Sequence, residues 1–299
     1  MVIVGAGAAG VSCALECFDI QLDTVVLEAN GRAGGQLAEI PHSVRNVATG
    51  RFADGPALRD GLEEAAAILG PRLRVGEPVT AIDLGEKRID AGDQRVHARA
   101  LVLATGTRHQ QLPAAPDGAF GGDVTYLVES QPGHFDGRDV VVIGGGDSGA
   151  LDALELARAG SAVKLVHRGS ALTARHDIVE RVRREPRIED MPGWELDSLH
   201  GGDRLEEVVL RDLDGQRLRL RAGGVVVKIA RLPRTELVQG QVDLDRSGAI
   251  VVDAALHTSR DGVMAAGDVV ADAYARVAVA LGQGVLAARS VLRHLQGQG

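Results

Sequence analysis

The sequence predicts an α/β fold of two parallel-sheet units, the second inserted into the first. Three observations carry this. The chain opens with a short apolar strand (Met1 to Val4), a glycine-rich turn (GAGAAG, 5–10) and a helix over 11–18. The same order returns at Asp139 to Ile143 (DVVVI), GGGDSG (144–149) and a helix from Ala150 to Arg158. The region after about residue 231 holds too few elements to fold alone, so it completes the first unit. A length of 299 residues suits two domains of roughly 100–150 residues each.

Composition narrows the function classes. There are 39 glycines, about twice the usual ~7% share, so many backbone sites need a tight turn or a close approach. Aromatic residues are only 2%, leaving few platforms for stacking bases, and a net charge of -8 repels phosphate backbones. Nucleic acid is therefore not an expected partner. Cys13 and Cys17 are the two cysteines, in a C-x-x-x-C spacing that matches neither a zinc site nor a redox C-x-x-C, and no metal site is expected. Packing in the core is the reading for both thiols. No basic leader precedes the first strand and no apolar run approaches about 18 residues, which predicts a soluble, cytoplasmic protein without a membrane partner. The first strand begins at Met1, so a start a few residues upstream would fit equally well.

The remaining elements follow in order. Thr24 to Leu27 is a second buried strand. A helix runs from Pro56 to Leu69, with Asp54 as its cap and Pro56 in the first turn, where a missing N–H costs little. Alternating stretches from Leu73 to Val96 predict a small antiparallel meander, and Ala100 to Ala104 a strand ending at Thr105-Gly106. Pro113 to Gly122 reads as a linker. The second unit continues with a strand at Ala162 to Val166, an arginine-rich helix and another meander, to about Ile229. After the Arg231 to Thr235 link come a strand at Ile250 to Val252, the strand-to-turn segment VMAAGD, and a helix from about Ala275 to Leu295. The boundaries are 1–112 with 231–299 for one domain and 113–230 for the other.

Both turns match G-x-G-x-x-G, at Gly5, Gly7 and Gly10 and at Gly144, Gly146 and Gly149. The first glycine makes the tight turn, the second lets a pyrophosphate approach bare backbone, and the third allows close helix–sheet packing. The helix N-terminus then supplies N–H groups and partial positive charge. Such units are Rossmann-like dinucleotide-binding domains. Glu28, at the end of the second strand, is placed to accept ribose hydroxyls. The corresponding tip in the second unit carries His167-Arg168 instead, and an arginine there neutralises a 2′-phosphate, with Arg175 as a helper. That favours NADPH over NADH. GDSG at 146–149 also suggests a serine hydrolase with Ser148 as nucleophile, but Ala150 breaks the elbow pattern and a hydrolase leaves the first turn unexplained.

GAGAAG with Glu28, GGQL (34–37), ATG (104–106), GGGDSG, LVHR (165–168) and AAGDV (265–269), taken in this order, resemble the thioredoxin reductase-like flavoproteins, which include one type of ferredoxin–NADP reductase. The resemblance spans nearly the whole chain. It implies FAD in the interrupted domain, NADPH in the inserted one, and a homodimer. It assigns Gly5, Gly7, Ala8, Gly10, Glu28, Gly35, Gln36, Asn46, Thr105, Gly106, Gly267, Asp268, Arg276 and Val277 to FAD. Gly144, Gly146, Asp147, Ser148, His167, Arg168 and Arg175 fall to NADPH.

This chain also departs from the pattern. The positions of the thioredoxin reductases' redox C-x-x-C fall on Leu127 and Ser130, which form no thiolate, so dithiol chemistry there is excluded. The segment YLVESQPGHFDG (126–137) is closer to the cysteine-free branch, and within it Tyr126 and His134 are the candidates for acid–base work. The family's second arginine after the histidine is Gly169, a later one is Thr173, and Lys228 stands in a strand the family keeps apolar. The expected function is an FAD-dependent NAD(P)H oxidoreductase that passes electrons directly from flavin to an external acceptor. A ferredoxin or flavodoxin is one class of acceptor, steered by Arg181, Arg183, Arg184 and Arg187 unless these form a solvated helix face. The alternatives are reduction of a small quinone, disulfide or oxygen, and a flavin- or nucleotide-binding sensor without turnover.

Overall fold

A strand that is apolar at every position buries both faces, and parallel sheets covered on both sides are built from such strands. The computed structural model describes residues 1–48, 50–131 and 133–297; Pro132 of the 126–137 segment and the last two residues of the 231–299 segment lie outside these. Met1–Arg108 with Leu232–Gly299 form one compact unit and His109–Arg231 another.

The first unit begins with β1 (Val2–Val4), α1 (Ala8–Asp19) and β2 (Val25–Glu28), followed by a hairpin of β3 (Val44–Val47) and β4 (Gly50–Phe52). Helix α2 (Gly55–Ala66) starts where predicted: Asp54 Oδ1 accepts the Ala57 N–H at 2.8 Å and proline occupies the first turn. It ends short of Leu69, and a 3-10 segment with Gly70 at φ 51° leads into β5 (Leu73–Val75). That strand corrects the predicted meander. Leu73–Val75 pairs parallel with β2, and only β6 (Val79–Asp83), β7 (Arg88–Ala91) and β8 (Gln94–His97) form the antiparallel meander. Three apolar-rich residues carry no period to separate the two cases. Strands β9 (Leu101–Leu103) and β10 (Thr107–His109) complete this stretch.

The second unit contains the short turn α3 (Ala119–Gly122), β11 (Val124–Thr125), β12 (Asp139–Ile143), α4 (Asp147–Arg158), β13 (Ala162–His167), α5 (His176–Arg184) and β14 (Ile188–Pro192). Then come β15 (Trp194–Gly201), β16 (Leu205–Asp212), β17 (Arg217–Arg221) and β18 (Gly224–Val227). Its parallel sheet has the order β11-β18-β12-β13-β14, and β15-β16-β17 is an antiparallel meander. The chain continues through β19 (Arg231–Pro233), β20 (Val263–Ala265) and α6 (Val277–Gly297). The sheet of the first unit has the order β20-β9-β1-β2-β5. Ile250–Val252 does not form the expected strand; Ile250 makes only isolated bridges to Leu244 and Val270.

Pleating divides each core in two. In the first unit Ile3, Val26, Val102 and Met264 face a layer with α1 and α6, while Val4, Leu27, Leu103 and Ala265 face Ile82, Leu84 and Ile89 of the meander region. In the second, Val140, Val142 and Leu165 pack on Ala153, Ile178 and Val182, and Val141, Ile143 and Val166 pack on Val208 and Leu210. Each fully buried Val, Leu, Ile or Met side chain among them stabilises by roughly 1.5–3 kcal/mol. Helix α6 lies close on α1 because Gly284 has no side chain: a Cβ there would strike the Ala9 carbonyl. The Ser12 hydroxyl donates to Leu281 O at 2.8 Å across the same seam. Cys13 and Cys17 are fully buried in this layer; the hydrogen bond to Cys17, and then burial, push the Cys13 thiol up. Among the described residues no helix is long and apolar enough to cross a membrane, and no group of three or more His, Cys, Asp or Glu is placed to hold a metal ion.

Candidate dinucleotide sites

Strand β1 delivers the chain to Gly5, whose φ of 100° suits glycine and whose missing Cβ would strike the Ala104 carbonyl. A Cβ at Gly10 would strike the Gly5 carbonyl, so this residue lets α1 approach the turn. Gly7 differs. A Cβ there would meet nothing within 4 Å, and Gly7 caps α1 with no side-chain hydrogen bond, so there is room beside the backbone where the helix begins. Room beside bare backbone at a helix N-terminus is what an anionic phosphate group requires.

Glu28 closes the turn from the tip of β2. It is 6% exposed; Oε2 accepts the Ala6 N–H at 2.8 Å, and Oε1 accepts the Asn30 N–H at 2.9 Å and Asn30 Nδ2 at 2.7 Å. With about four lone-pair directions on a carboxylate, roughly one remains for a ligand hydroxyl. The GGQL loop is drawn in by Gly34 N–H to Ala6 O at 2.8 Å, and a Cβ on Gly35 would lie 3.5 Å from Gly7 Cα. Gln36 Nε2 donates to Thr107 Oγ1 at 3.0 Å, and a Cβ on Gly106 would sit 3.1 Å from the same nitrogen. Thr105 Oγ1 donates to Arg234 O at 2.7 Å. From β20, the Gly267 N–H donates to Gln283 Oε1 at 2.7 Å, and a Cβ on Gly267 would be 3.0 Å from Ala9 Cβ.

The motifs of the first unit thus meet at the carboxyl ends of β1, β9 and β20, where open α/β sheets bind ligands. Asp268 follows Gly267 there and is half-buried, and Val277 opens α6. Asn46 instead is exposed on β3, and Arg276 turns back on its own segment, donating to Ala275 O at 2.8 Å and lying 5.3 Å from the Tyr274 ring centre. Sequence reasoning missed a cavity of about 240 Å³ just past the β2 tip, lined by Gly31, Arg32, Ala33, Ala66, Leu73 and Val75 among others. The parallel placement of β5 creates it, and reading Leu73–Val75 as meander concealed it.

The second turn repeats the backbone solution. Gly144 has φ 137° and its Cβ would strike the Lys228 carbonyl, while a Cβ on Gly149 would strike the Gly144 carbonyl. Gly146 is again open, with Thr173 Oγ1 at 4.0 Å as the nearest atom to its Cβ position. Ser148 is exposed in the first turn of α4. His167 is buried, with Nε2 2.9 Å from Asp190 Oδ1, and Arg168 beside it is exposed. The 169–175 loop is fastened to the turn: Gly145 O accepts the Thr173 N–H at 2.9 Å and the Ala174 N–H at 3.2 Å. Asp147 takes Arg175 twice, its carboxylate accepting the backbone N–H at 2.8 Å and lying 3.1 Å from Nε. Lys228, just past β18 rather than inside it, places Nζ 3.2 Å from Asp152 Oδ2 of α4, with both side chains at most 5% exposed.

The acid–base candidates find structural partners instead. The Tyr126 hydroxyl accepts the Leu112 N–H at 2.7 Å and donates to Ala115 O at 3.1 Å, and burial pushes its pKa up. His134 Nε2 lies 3.0 Å from Oδ1 of Asp123, which also holds Arg204 at 2.7 Å, Arg138 at 2.9 Å and the Leu205 N–H at 3.0 Å. Burial alone would raise the Asp123 carboxyl, but Arg204, the Leu205 N–H and Arg138 bring it well below the usual carboxylate range. Tyr126 and His134 are therefore tied into the frame of the second unit. Of the predicted arginine cluster, Arg181 is exposed on α5, Arg183 and Arg184 pair with Glu180 at 3.0 and 3.4 Å, and Arg187, beyond the end of the helix, donates to Gly160 O at 3.1 Å.

Comparison with known proteins agrees with this geometry. The profile of the family described as Pyridine nucleotide-disulphide oxidoreductase matches residues 1–284. A thioredoxin reductase from Streptomyces clavuligerus is 33% identical over 304 residues, covering 99% of this chain and 93% of that protein. A 34.2 kDa protein in a rubredoxin operon of Clostridium pasteurianum is 30% identical, covering 100% of this chain and 97% of its own. The crystal structure of Lactococcus lactis thioredoxin reductase in its FR conformation superposes with a TM-score of 0.90 at 26% identity, over 99% of this chain and 98% of that one. The family uses FAD and NADPH. Two glycine cradles in two sheets, matched end to end by such relatives, place this chain in the pyridine nucleotide-disulphide oxidoreductase family as a thioredoxin reductase-like, NAD(P)H-dependent flavoprotein oxidoreductase.

Proposed function

We propose that this protein takes electrons from NAD(P)H and delivers them from flavin directly to an external acceptor, with no disulfide relay. Residues 1–112 with 231–299 serve as the FAD domain and 113–230 as the NAD(P)H domain. The observation that carries the reading is chemical: Leu127 and Ser130 occupy the relay positions, and both cysteines, on the inner face of α1, are fully buried in the core. A small electron-carrier protein such as a ferredoxin or flavodoxin is the proposed acceptor class, in keeping with a relative from a rubredoxin operon.

The open backbone at Gly7 and at Gly146 fits a pyrophosphate at each turn. When bound, FAD supplies the chemistry that joins two-electron hydride transfer to electron delivery. The first N–H groups of α1 hold its phosphates, and Glu28, oriented by Ala6 and Asn30, accepts a ribose hydroxyl. The cavity at Ala33 and Val75 takes the flat adenine ring, whose faces pack on the apolar lining. Gln36, oriented by Thr107, offers its amide toward the ring system, and the N-terminal end of α6 lends partial positive charge. At the second turn Gly146 and the start of α4 hold the coenzyme phosphates, and Arg168 offers a guanidinium at the strand tip.

The test is spectroscopic. The purified protein is expected to show a flavin band that NADPH or NADH bleaches without oxygen, and to support ferredoxin-coupled reduction of cytochrome c. Thioredoxin-dependent reduction of a chromogenic disulfide is expected to be absent. A flavin that stays oxidised with both coenzymes would point to a sensor, and a protein that cannot be loaded with FAD would overturn the scheme.

A further inference from the structure

Two cations stand near the tip of β13, and they are not equivalent. Arg168 is exposed. Arg175 is not available in the same way: its backbone N–H and its Nε both address the Asp147 carboxylate, and Asp177 Oδ1 lies 4.0 Å from the same Nε. The loop that carries it is pinned to Gly145 O by Thr173 and Ala174, which anchors the arginine's stem beside the phosphate turn. Asp147 itself sits in the first turn of α4, where the helix end favours a negative charge.

We propose that Asp147 tunes coenzyme choice at the second turn, holding Arg175 as its own counter-ion so that Arg168 is left to meet a 2′-phosphate and the preference for NADPH over NADH is weakened. This rests on the reading that a nicotinamide coenzyme occupies that turn. A 2′-phosphate reaching for Arg175 must displace a carboxylate and then remain beside its charge, whereas a 2′-hydroxyl meets no such opposition. The side chains of Arg175 and Asp147 are 58% and 34% exposed, so solvent and salt screen the pair and the effect is one of several-fold, not of many orders.

The experiment titrates the FAD-loaded protein with NADP+ and NAD+ and compares the ratio of dissociation constants at low salt. The wild-type ratio is expected to favour NADP+ by no more than about tenfold. Asp147→Asn keeps an acceptor for the Arg175 N–H but removes the charge, and it should shift the ratio toward NADP+ by about tenfold. Adding Arg175→Gln should abolish that gain, while Arg175→Gln alone, which leaves the Asp147 charge uncompensated, should move the ratio toward NAD+, an opposition of sign that a merely structural role would not produce. A wild type that prefers NADP+ by a hundredfold, or a ratio unmoved by Asp147→Asn, or a gain that persists without Arg175, overturns the inference while leaving the coenzyme site standing. Failure of both dinucleotides to bind overturns the site and the inference together.

Discussion

The two glycine turns solve one backbone problem and differ in almost everything around it. In both, the first glycine stands against a carbonyl from the neighbouring strand end, the third against the first, and the middle one faces open space. The carbonyl belongs to Ala104 in the first unit and to Lys228 in the second. Ala104 is simply part of the apolar core, whereas Lys228 brings a buried charge that Asp152 neutralises. The strand tips differ as well, a pinned carboxylate at Glu28 against a histidine and two arginines at 167–175. In the proposed function, the backbone geometry of each turn accommodates a pyrophosphate and the tip side chains distinguish one dinucleotide from the other.

The largest expected effects come from the ion pair that only the second turn has. Lys228→Met strands Asp152 in the core and should destabilise by about 3–5 kcal/mol, read by urea unfolding; Lys228→Met with Asp152→Leu should recover most of it. Recovery close to wild type would make the second turn, like the first, indifferent to charge beneath it. Next are the glycines. Gly5→Ala and Gly144→Ala should each cost about 2–4 kcal/mol, because φ is positive and a carbonyl blocks the Cβ. Gly7→Ala and Gly146→Ala should stay within about 1 kcal/mol of wild type by the same measurement. Gly7→Ala should lose FAD and Gly146→Ala should lose nicotinamide binding; a variant that kept its ligand would break the parallel.

Acid sharpens the comparison from another side. The Asp123 carboxyl titrates well below its unfolded value of about 3.9, so its stabilisation is present above that pH and is lost as pH falls toward the folded-state value. Asp123→Asn should therefore destabilise the second unit at neutral pH and flatten its loss of stability below about pH 4, followed by near-ultraviolet circular dichroism. The smallest effect belongs to α5. Arg183→Ala with Arg184→Ala should change stability by less than about 1 kcal/mol, since both pairs with Glu180 are exposed. A large drop in acceptor reduction in that variant would turn a solvated face into a docking surface.

Local pattern carried much of this architecture. The strand at Asp139–Ile143, the Asp54 cap with Pro56 behind it, and both strand–turn–helix cradles follow from apolar runs, capping chemistry and glycine spacing, which act within a few residues. Tertiary packing decided the rest. It moved Leu73–Val75 into the parallel sheet, tied Tyr126 and His134 into the frame, and paired Lys228 with Asp152 and Arg175 with Asp147. Those partners are distant in the chain, and a charged side chain reads the same in sequence whether it meets solvent, a ligand or a counter-ion. Only the fold brings the second group within reach and removes the water between them, and so only the fold determines what the charge does.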